Sequence, residues 1–141
     1  MREETHFGRT VRCFEQRPAN LNAMFAQSLA RRAGSEALVC GGERITYAEL
    51  DARAARVAAR LAANGVVAGD RVAIVCANEP EFVYALLAVF RLGAIAVPIN
   101  VREQKPELAY VLNQCQARAL VFDADLAERI PPPDAVPHLA L

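Results

Sequence analysis

The stretch Phe90-Arg91-Leu92-Gly93-Ala94-Ile95-Ala96-Val97-Pro98-Ile99-Asn100 limits the possible folds more than any other part of this 141-residue chain. Residues at helical spacing run into a Gly-Ala hinge, and the hinge leads into an apolar run closed by Pro and Asn. A helix that passes at once into a buried strand belongs to an alternating α/β arrangement. Pro98 cannot donate a ladder bond and so marks that strand's end. Arg71 to Ala77 is a second apolar run, too continuous for a half-exposed strand and suited to a parallel strand covered on both faces. Ala119 to Phe122 supplies a third. Helices are predicted over about Glu79 to Leu92 and Pro106 to Gln114, and right-handed crossovers make the three strands parallel. The expected fold class is therefore α/β: a parallel-sheet βαβαβ three-layer unit, with Arg71 to Ala77 and Ala94 to Ile99 as central strands.

Ahead of this unit, residues 1 to 19 mix charges with Phe7, Val11 and Phe14 and show no sustained periodicity, so they are predicted to be an arm. Asn20 or Asn22 can cap a helix to about Ala33, ended by Gly34. Ala37 to Cys40 and Arg44 to Thr46 read as a short hairpin around Gly41-Gly42-Glu43, placed at a sheet edge. Thr46 and Glu49 have capping-box spacing. The helix they start carries Leu50, Ala54, Val57, Ala58 and Leu61 on one face and Arg53, Arg56 and Arg60 on the other, and Asn64-Gly65 ends it. The arginine row reads as a solvated face. Asn78-Glu79-Pro80-Glu81 has cap chemistry for the next helix, whose apolar positions Phe82, Val83, Leu86, Leu87, Val89 and Phe90 nearly encircle it and predict deep burial. Asp125 to Arg129 can add a helical turn, and Ala135 to Leu141 resembles the approach to another strand.

Sixteen basic residues balance sixteen acidic ones, which removes the positive footprint that nucleic acids and anionic membranes require. No apolar run reaches the roughly 20 residues of a membrane span. Met1-Arg2-Glu3-Glu4-Thr5-His6 is unlike the start of a signal peptide, so a cytoplasmic location is expected. Cys13, Cys40, Cys76 and Cys115 form no C-x-x-C pair and adjoin no cluster of histidines, which argues for free thiols and against a zinc site. Cys76, inside an apolar run, behaves as a small hydrophobe. Nothing near Cys13 in sequence marks it as activated. His6 and His138 lie in terminal segments, where a preorganised general base is not expected. None of the common short catalytic or phosphate-binding signatures occurs. No catalytic, cofactor-binding or metal-binding residue is assigned.

Four blocks, in order, carry a resemblance: Ile45-Thr46-Tyr47-Ala48-Glu49-Leu50, Gly69-Asp70-Arg71-Val72-Ala73-Ile74, Asn78 with Pro80-Glu81-Phe82, and Leu92 to Asn100. The chain from about Leu21 to Asp123 is similar to AMP-forming acyl-CoA synthetases of the adenylate-forming superfamily. That resemblance implies residues 1–19 as an N-terminal arm and 20–141 as a partial N-terminal, AMP-binding domain. In that family these blocks are structural. The phosphate loop, the acidic magnesium motif, the ribose-binding Asp and the C-terminal catalytic Lys have no counterpart here. ATP, Mg and CoA are thus implied for a parent enzyme and not for this chain, which is expected to be inactive alone. The implied parent joins a long- or medium-chain fatty acid, or a related carboxylate, to CoA. Asn100 favours the acyl-CoA synthetase branch over peptide-synthetase adenylation domains, which resemble it but carry Asp there. Gln104-Lys105-Pro106 departs from the family's Thr-Pro helix start and predicts a poor cap. The expected partners are the remainder of the synthetase and, through bared apolar surface, a second copy of the chain. The alternative is a non-catalytic α/β interaction or dimerisation module.

Overall fold

The computed structural model describes residues 1–139. A three-stranded parallel sheet holds the centre, built from β5 (Arg71–Val75), β6 (Ile95–Pro98) and β7 (Ala119–Phe122) in the order β6-β5-β7. Arg71 pairs with Ile95, and Val72 with Ala119. Val72, Ile74 and Cys76 point to one face, where α2 (Tyr47–Ala63) and α3 (Pro80–Arg91) supply Ala58, Leu61, Ala85, Ala88 and Val89. Ala73 points to the other face and meets Leu112 of α4 (Lys105–Cys115), together with Ala117 and Val136. The period-2 alternation of a strand thus divides one apolar run between two cores, and the α/β class and three layers are as the sequence predicts.

β5 alone is central. Because α3 returns the chain to one side of β5 and α4 carries it across to the other, the strand over 95–98 becomes an edge, with Ile95 51% exposed. The expectation of a second central strand there is corrected. Pro98 is placed where it does least harm. Ile95 and Ile99 donate to Asp70 and Ile74 of the β5 side, so the outward backbone positions of β6 are Ala96 and Pro98, and proline has no N–H to offer a further strand.

The N-terminal third differs more. β1 (Arg2–His6) and β2 (Arg9–Cys13) form an antiparallel hairpin in place of the predicted arm, turning on Phe7 at φ 50° and Gly8 at φ 76°. Its strands lack the apolar alternation that marks a half-buried sheet, and no hairpin residue belongs to a core cluster. α1 (Leu21–Arg32) is capped by Asn20, whose Oδ1 accepts from the Ala23 amide at 2.8 Å. Gly34 keeps a negative φ and is no left-handed cap; Ala33 ends the helix in helical geometry. β3 (Glu36–Cys40) and β4 (Glu43–Thr46) make a separate two-stranded sheet, not an edge of the central one. It is anchored by Ile45, fully buried against Leu50 and Tyr84.

Thr46 and Glu49 form the predicted capping box: the Glu49 amide donates to Thr46 Oγ1 at 3.2 Å, and Glu49 Oε2 accepts from the Thr46 amide at 2.8 Å. The Thr46 backbone N–H first, and then the Thr46 hydroxyl donating to Glu49 Oε2 at 2.8 Å, hold the Glu49 carboxyl below its ordinary pKa. α3 has Glu79 as its cap without a side-chain bond, so the expected cap chemistry of Asn78 is not used; Pro80 starts the helix. Deep burial falls on Tyr84, Ala85, Ala88 and Val89, while Phe82, Val83, Leu86, Leu87 and Phe90 are half-buried. α4 lacks a side-chain cap at Gln104, as predicted. A 3-10 helix at Ala124–Arg129 occupies the place of the predicted turn, and Pro133–Ala135 adds another. No strand follows among the described residues; the expected approach to one lies partly at 140–141, outside them.

Candidate functional site

In open α/β sheets ligands settle beyond the carboxyl ends of the strands, so that edge is where chemistry would gather. Here it holds Cys76, Ala77 and Asn78 after β5, Asn100 to Arg102 after β6, and Asp123 after β7. A concavity of about 460 Å³ opens between Ala77, Asn78, Phe82, Pro98 and Asn100. Three side chains at this edge, Asp123, Asn100 and Arg129, are engaged with backbone. Asp123 Oδ2 accepts the Ala77 amide at 2.7 Å and locks the end of β7 to the loop leaving β5. Asn100 Oδ1 accepts the Arg102 amide at 3.0 Å. Arg129 Nη1 donates to the Val101 carbonyl at 2.8 Å. The Cys76 thiol is pushed up to about 12, chiefly by burial and then by the Asp123 carboxylate, which leaves a protonated thiol and no nucleophile.

Three of the six left-handed glycines gather at the opposite edge. Gly65, Gly69 and Gly93 have φ of 80°, 86° and 68°, and all three precede strands. A phosphate cradle needs such glycines after a strand and before a helix N-terminus. Among the described residues no left-handed glycine stands between a strand and a helix N-terminus.

What the sequence blocks build instead is a set of joints. Gly93 N donates to Phe90 O and Ala94 N to Val89 O, a Schellman closure of α3. Gly69 N donates to Gly93 O at 3.0 Å, stitching the turn before β5 to the turn before β6. Asp70 Oδ2 accepts the Val67 amide at 2.9 Å and closes the first of these turns. Arg71 reaches across to α4, donating from Nε to Cys115 O at 2.8 Å and from Nη2 to Gln116 O at 3.1 Å. A guanidinium at a helix C-terminus satisfies carbonyls that the helix leaves free. The Gly-Asp-Arg block thus fastens a turn and a helix end, a role that spacing alone does not disclose because Cys115 is 44 residues away.

Arg53 is not a merely solvated member of its row. It pairs with Glu43 at 2.8 Å, donates to the Tyr84 hydroxyl and lies 5.4 Å from the Tyr84 ring centroid. Burial raises the Tyr84 pKa, the nearby guanidinium opposing. Cys40 donates to Glu79 Oε2 at 3.4 Å, and that carboxylate raises the thiol's pKa. His138 is half-buried, its Nε2 3.0 Å from Leu112 O. His6, by contrast, lies on the β1–β2 hairpin beside Glu4 and Cys13, a grouping that strand pairing creates and sequence distance hides.

The sequence pattern of the family described as AMP-binding enzyme matches residues 25–140, most of the chain. The chain belongs to this family. It is 39% identical over 94 residues to the medium/long-chain-fatty-acid–CoA/3-oxocholest-4-en-26-oate–CoA ligase of Mycobacterium marinum, covering 67% of this chain and 17% of that protein. The 3-hydroxybenzoate–CoA/4-hydroxybenzoate–CoA ligase of Thauera aromatica is 39% identical over 103 residues, 72% of this chain and 20% of its own. Among solved structures, the anthranilate CoA ligase AuaEII in complex with anthranoyl-AMP superposes with a TM-score of 0.79 at 28% identity, over 84% of this chain and 23% of that one. The N-terminal subdomain of Klebsiella oxytoca NpsA gives 0.72 at 30% identity, over 79% and 28%. This AMP-binding-family chain therefore spans about a fifth of the curated relatives it matches, and under a third of an N-terminal subdomain by itself.

Proposed function

We propose that the chain serves as the first α/β layer of an AMP-forming carboxylate–CoA ligase, which converts an acid, ATP and CoA to acyl-CoA, AMP and pyrophosphate. The observation that carries this reading is the family match over residues 25–140, seated on a βαβαβ unit whose four sequence blocks all fall on fold joints. Relatives named as fatty-acid and hydroxybenzoate CoA ligases support a fatty or aromatic carboxylate as substrate class. Asn100 discriminates less than its sequence position promises, because its bond to the Arg102 amide needs only a side-chain oxygen, which Asp also has. In this reading residues 20–141 are a partial N-terminal domain, residues 1–19 are an accessory hairpin, and ATP, Mg and CoA bind elsewhere in a parent enzyme of the cytoplasm. No helix among the described residues is long and apolar enough to cross a membrane.

Alone, the chain should release no pyrophosphate from ATP and Mg with a panel of fatty and aromatic acids. Where the reading frame continues past the Leu141 codon, the longer product should release it and form acyl-CoA. Turnover by the 141 residues, abolished by a substitution within them, would sink the reading. A second reading, a non-catalytic association module, rests on Leu21 and Ile95, about half exposed; it requires self-association without any ligase activity in the longer product.

A further inference from the structure

The β1–β2 hairpin brings three metal-ligating groups of different chemistry to one face. Glu4 and His6 alternate along β1, and Cys13 stands opposite Arg2 in the antiparallel register, so all three side chains project from the same side. His6 Nε2 is 2.9 Å from Glu4 Oε2 and 3.9 Å from Cys13 Sγ. One ligand atom from each residue lies within 4.8 Å of the other two.

We propose that Glu4, His6 and Cys13 form a binding site for a zinc-class divalent cation, with a fourth, solvent-facing position open to water. Tetrahedral zinc takes ligands about 2.0–2.3 Å from the metal, which sets ligand-to-ligand edges near ~3.4–3.7 Å. The sulfur–nitrogen separation already has that scale, and the nitrogen–oxygen hydrogen bond has to open by a few tenths of an ångström. Thiolate, imidazole and carboxylate together suit zinc better than magnesium or calcium, which prefer oxygen alone. The carboxylate is oriented from behind by Arg2, whose Nε donates to Glu4 Oε1 at 2.8 Å, while Arg17 donates to Oε2, the oxygen that faces His6. Such outer contacts fix the direction of a ligating carboxylate. Arg17 has to leave Oε2 as the metal arrives, and the two negative charges of thiolate and carboxylate offset the incoming dication. On binding, Cys13 releases its proton and His6 frees Nε2 by carrying its remaining proton on Nδ1. The metal would tie the end of β2 to the middle of β1 and fasten a hairpin that contributes nothing to the cores.

Cobalt(II), followed by zinc(II), titrated into the whole chain under a thiol-free reductant tests the site. One equivalent of cobalt should give a thiolate-to-metal charge-transfer band, which zinc then abolishes. The band should be lost in Cys13→Ser and in His6→Gln and kept in Cys115→Ser. Zinc should also slow tryptic cleavage after Arg9 and Arg12, a readout that requires the hairpin to be fastened. Since no hairpin residue joins a core cluster, the variants should keep their far-ultraviolet circular dichroism. The absence of the band in the unaltered chain, or its survival in Cys13→Ser, would overturn the proposal and leave Glu4, His6 and Arg17 as an ionic network only.

Discussion

Gly93 and Gln116 occupy equivalent places, each just past a helix and each in left-handed backbone, at φ 68° and 50°. Only one of them is a glycine. A Cβ at Gly93 would stand 3.3 Å from Ala68 Cβ, so strain and crowding add. Gly93→Val should destabilise the domain by roughly 2–3 kcal/mol, read as a lower midpoint in chemical denaturation; an unchanged midpoint would mean that the turn relaxes freely. Gln116 makes the complementary case. Its amide donates to Asn113 O and the next amide to Leu112 O, so α4 closes as α3 does, but with a side chain that disfavours this backbone. Gln116→Gly should raise stability by up to ~1 kcal/mol. A loss of stability instead would show that the Gln116 side chain contributes more than its backbone costs. The Arg71 fork bonds the Gln116 carbonyl, which the substitution retains.

The hairpin's ionic network should respond to acid in a defined window. Hydrogen bonds from Arg2 first, then His6, bring the Glu4 pKa from 4.5 to about 2. A carboxyl whose folded pKa is depressed stabilises the folded form fully above its unfolded pKa and ceases to as the pH falls through the folded value. In metal-free protein, cross-strand contacts between Thr5 and Thr10, partners in the register, should therefore weaken between pH 4.5 and about 2. Nuclear magnetic resonance would follow this, and Glu4→Gln should abolish the pH dependence; a transition that survives that substitution would assign it to another group. That hairpin was also the least legible element in the sequence. Its strands are charged, so period-2 burial leaves no trace, and its turn is Phe-Gly where Asn-Gly would have announced it. By contrast, the capping box of α2, the strand Ala119–Phe122 and the Gly93 closure were legible because each is written in residues within six positions of one another. Strand order was not, since the edge position of β6 depends on which way α4 crosses. The carboxyl-edge latch from Asp123 to Ala77 and the Arg71 fork span 46 and 44 residues, beyond what a local pattern records. The grouping of Glu4, His6 and Cys13 needed the hairpin register before it could be seen.

For the whole molecule the question is how a small sheet with open sides stays apart from its neighbours. β6 resists strand addition, because Pro98 removes one of its outward donors, whereas β7 has no proline in Ala119–Phe122. Side-chain surface is the larger liability. Leu21 lines a concavity with Phe90, Gly93 and Ala94, Ile95 follows directly, and Leu21 and Ile95 are 49% and 51% exposed. Apolar surface of this kind gathers a partner when it is contiguous, and zero net charge supplies no long-range repulsion to oppose self-association. We propose that the isolated chain forms a two-fold dimer across this patch, the closure that a self-complementary surface most often adopts; in a ligase the same patch would be covered by other parts of the enzyme. Sedimentation equilibrium over a wide concentration range should show a monomer–dimer equilibrium, and Leu21→Glu with Ile95→Glu should move it to monomer by placing four like charges in one interface. Neither residue is buried, so the double variant should keep its thermal midpoint. A dimer that persists in the variant would transfer the interface to the β7 edge, and a chain that is monomeric throughout and binds no apolar dye would show that this patch needs no cover.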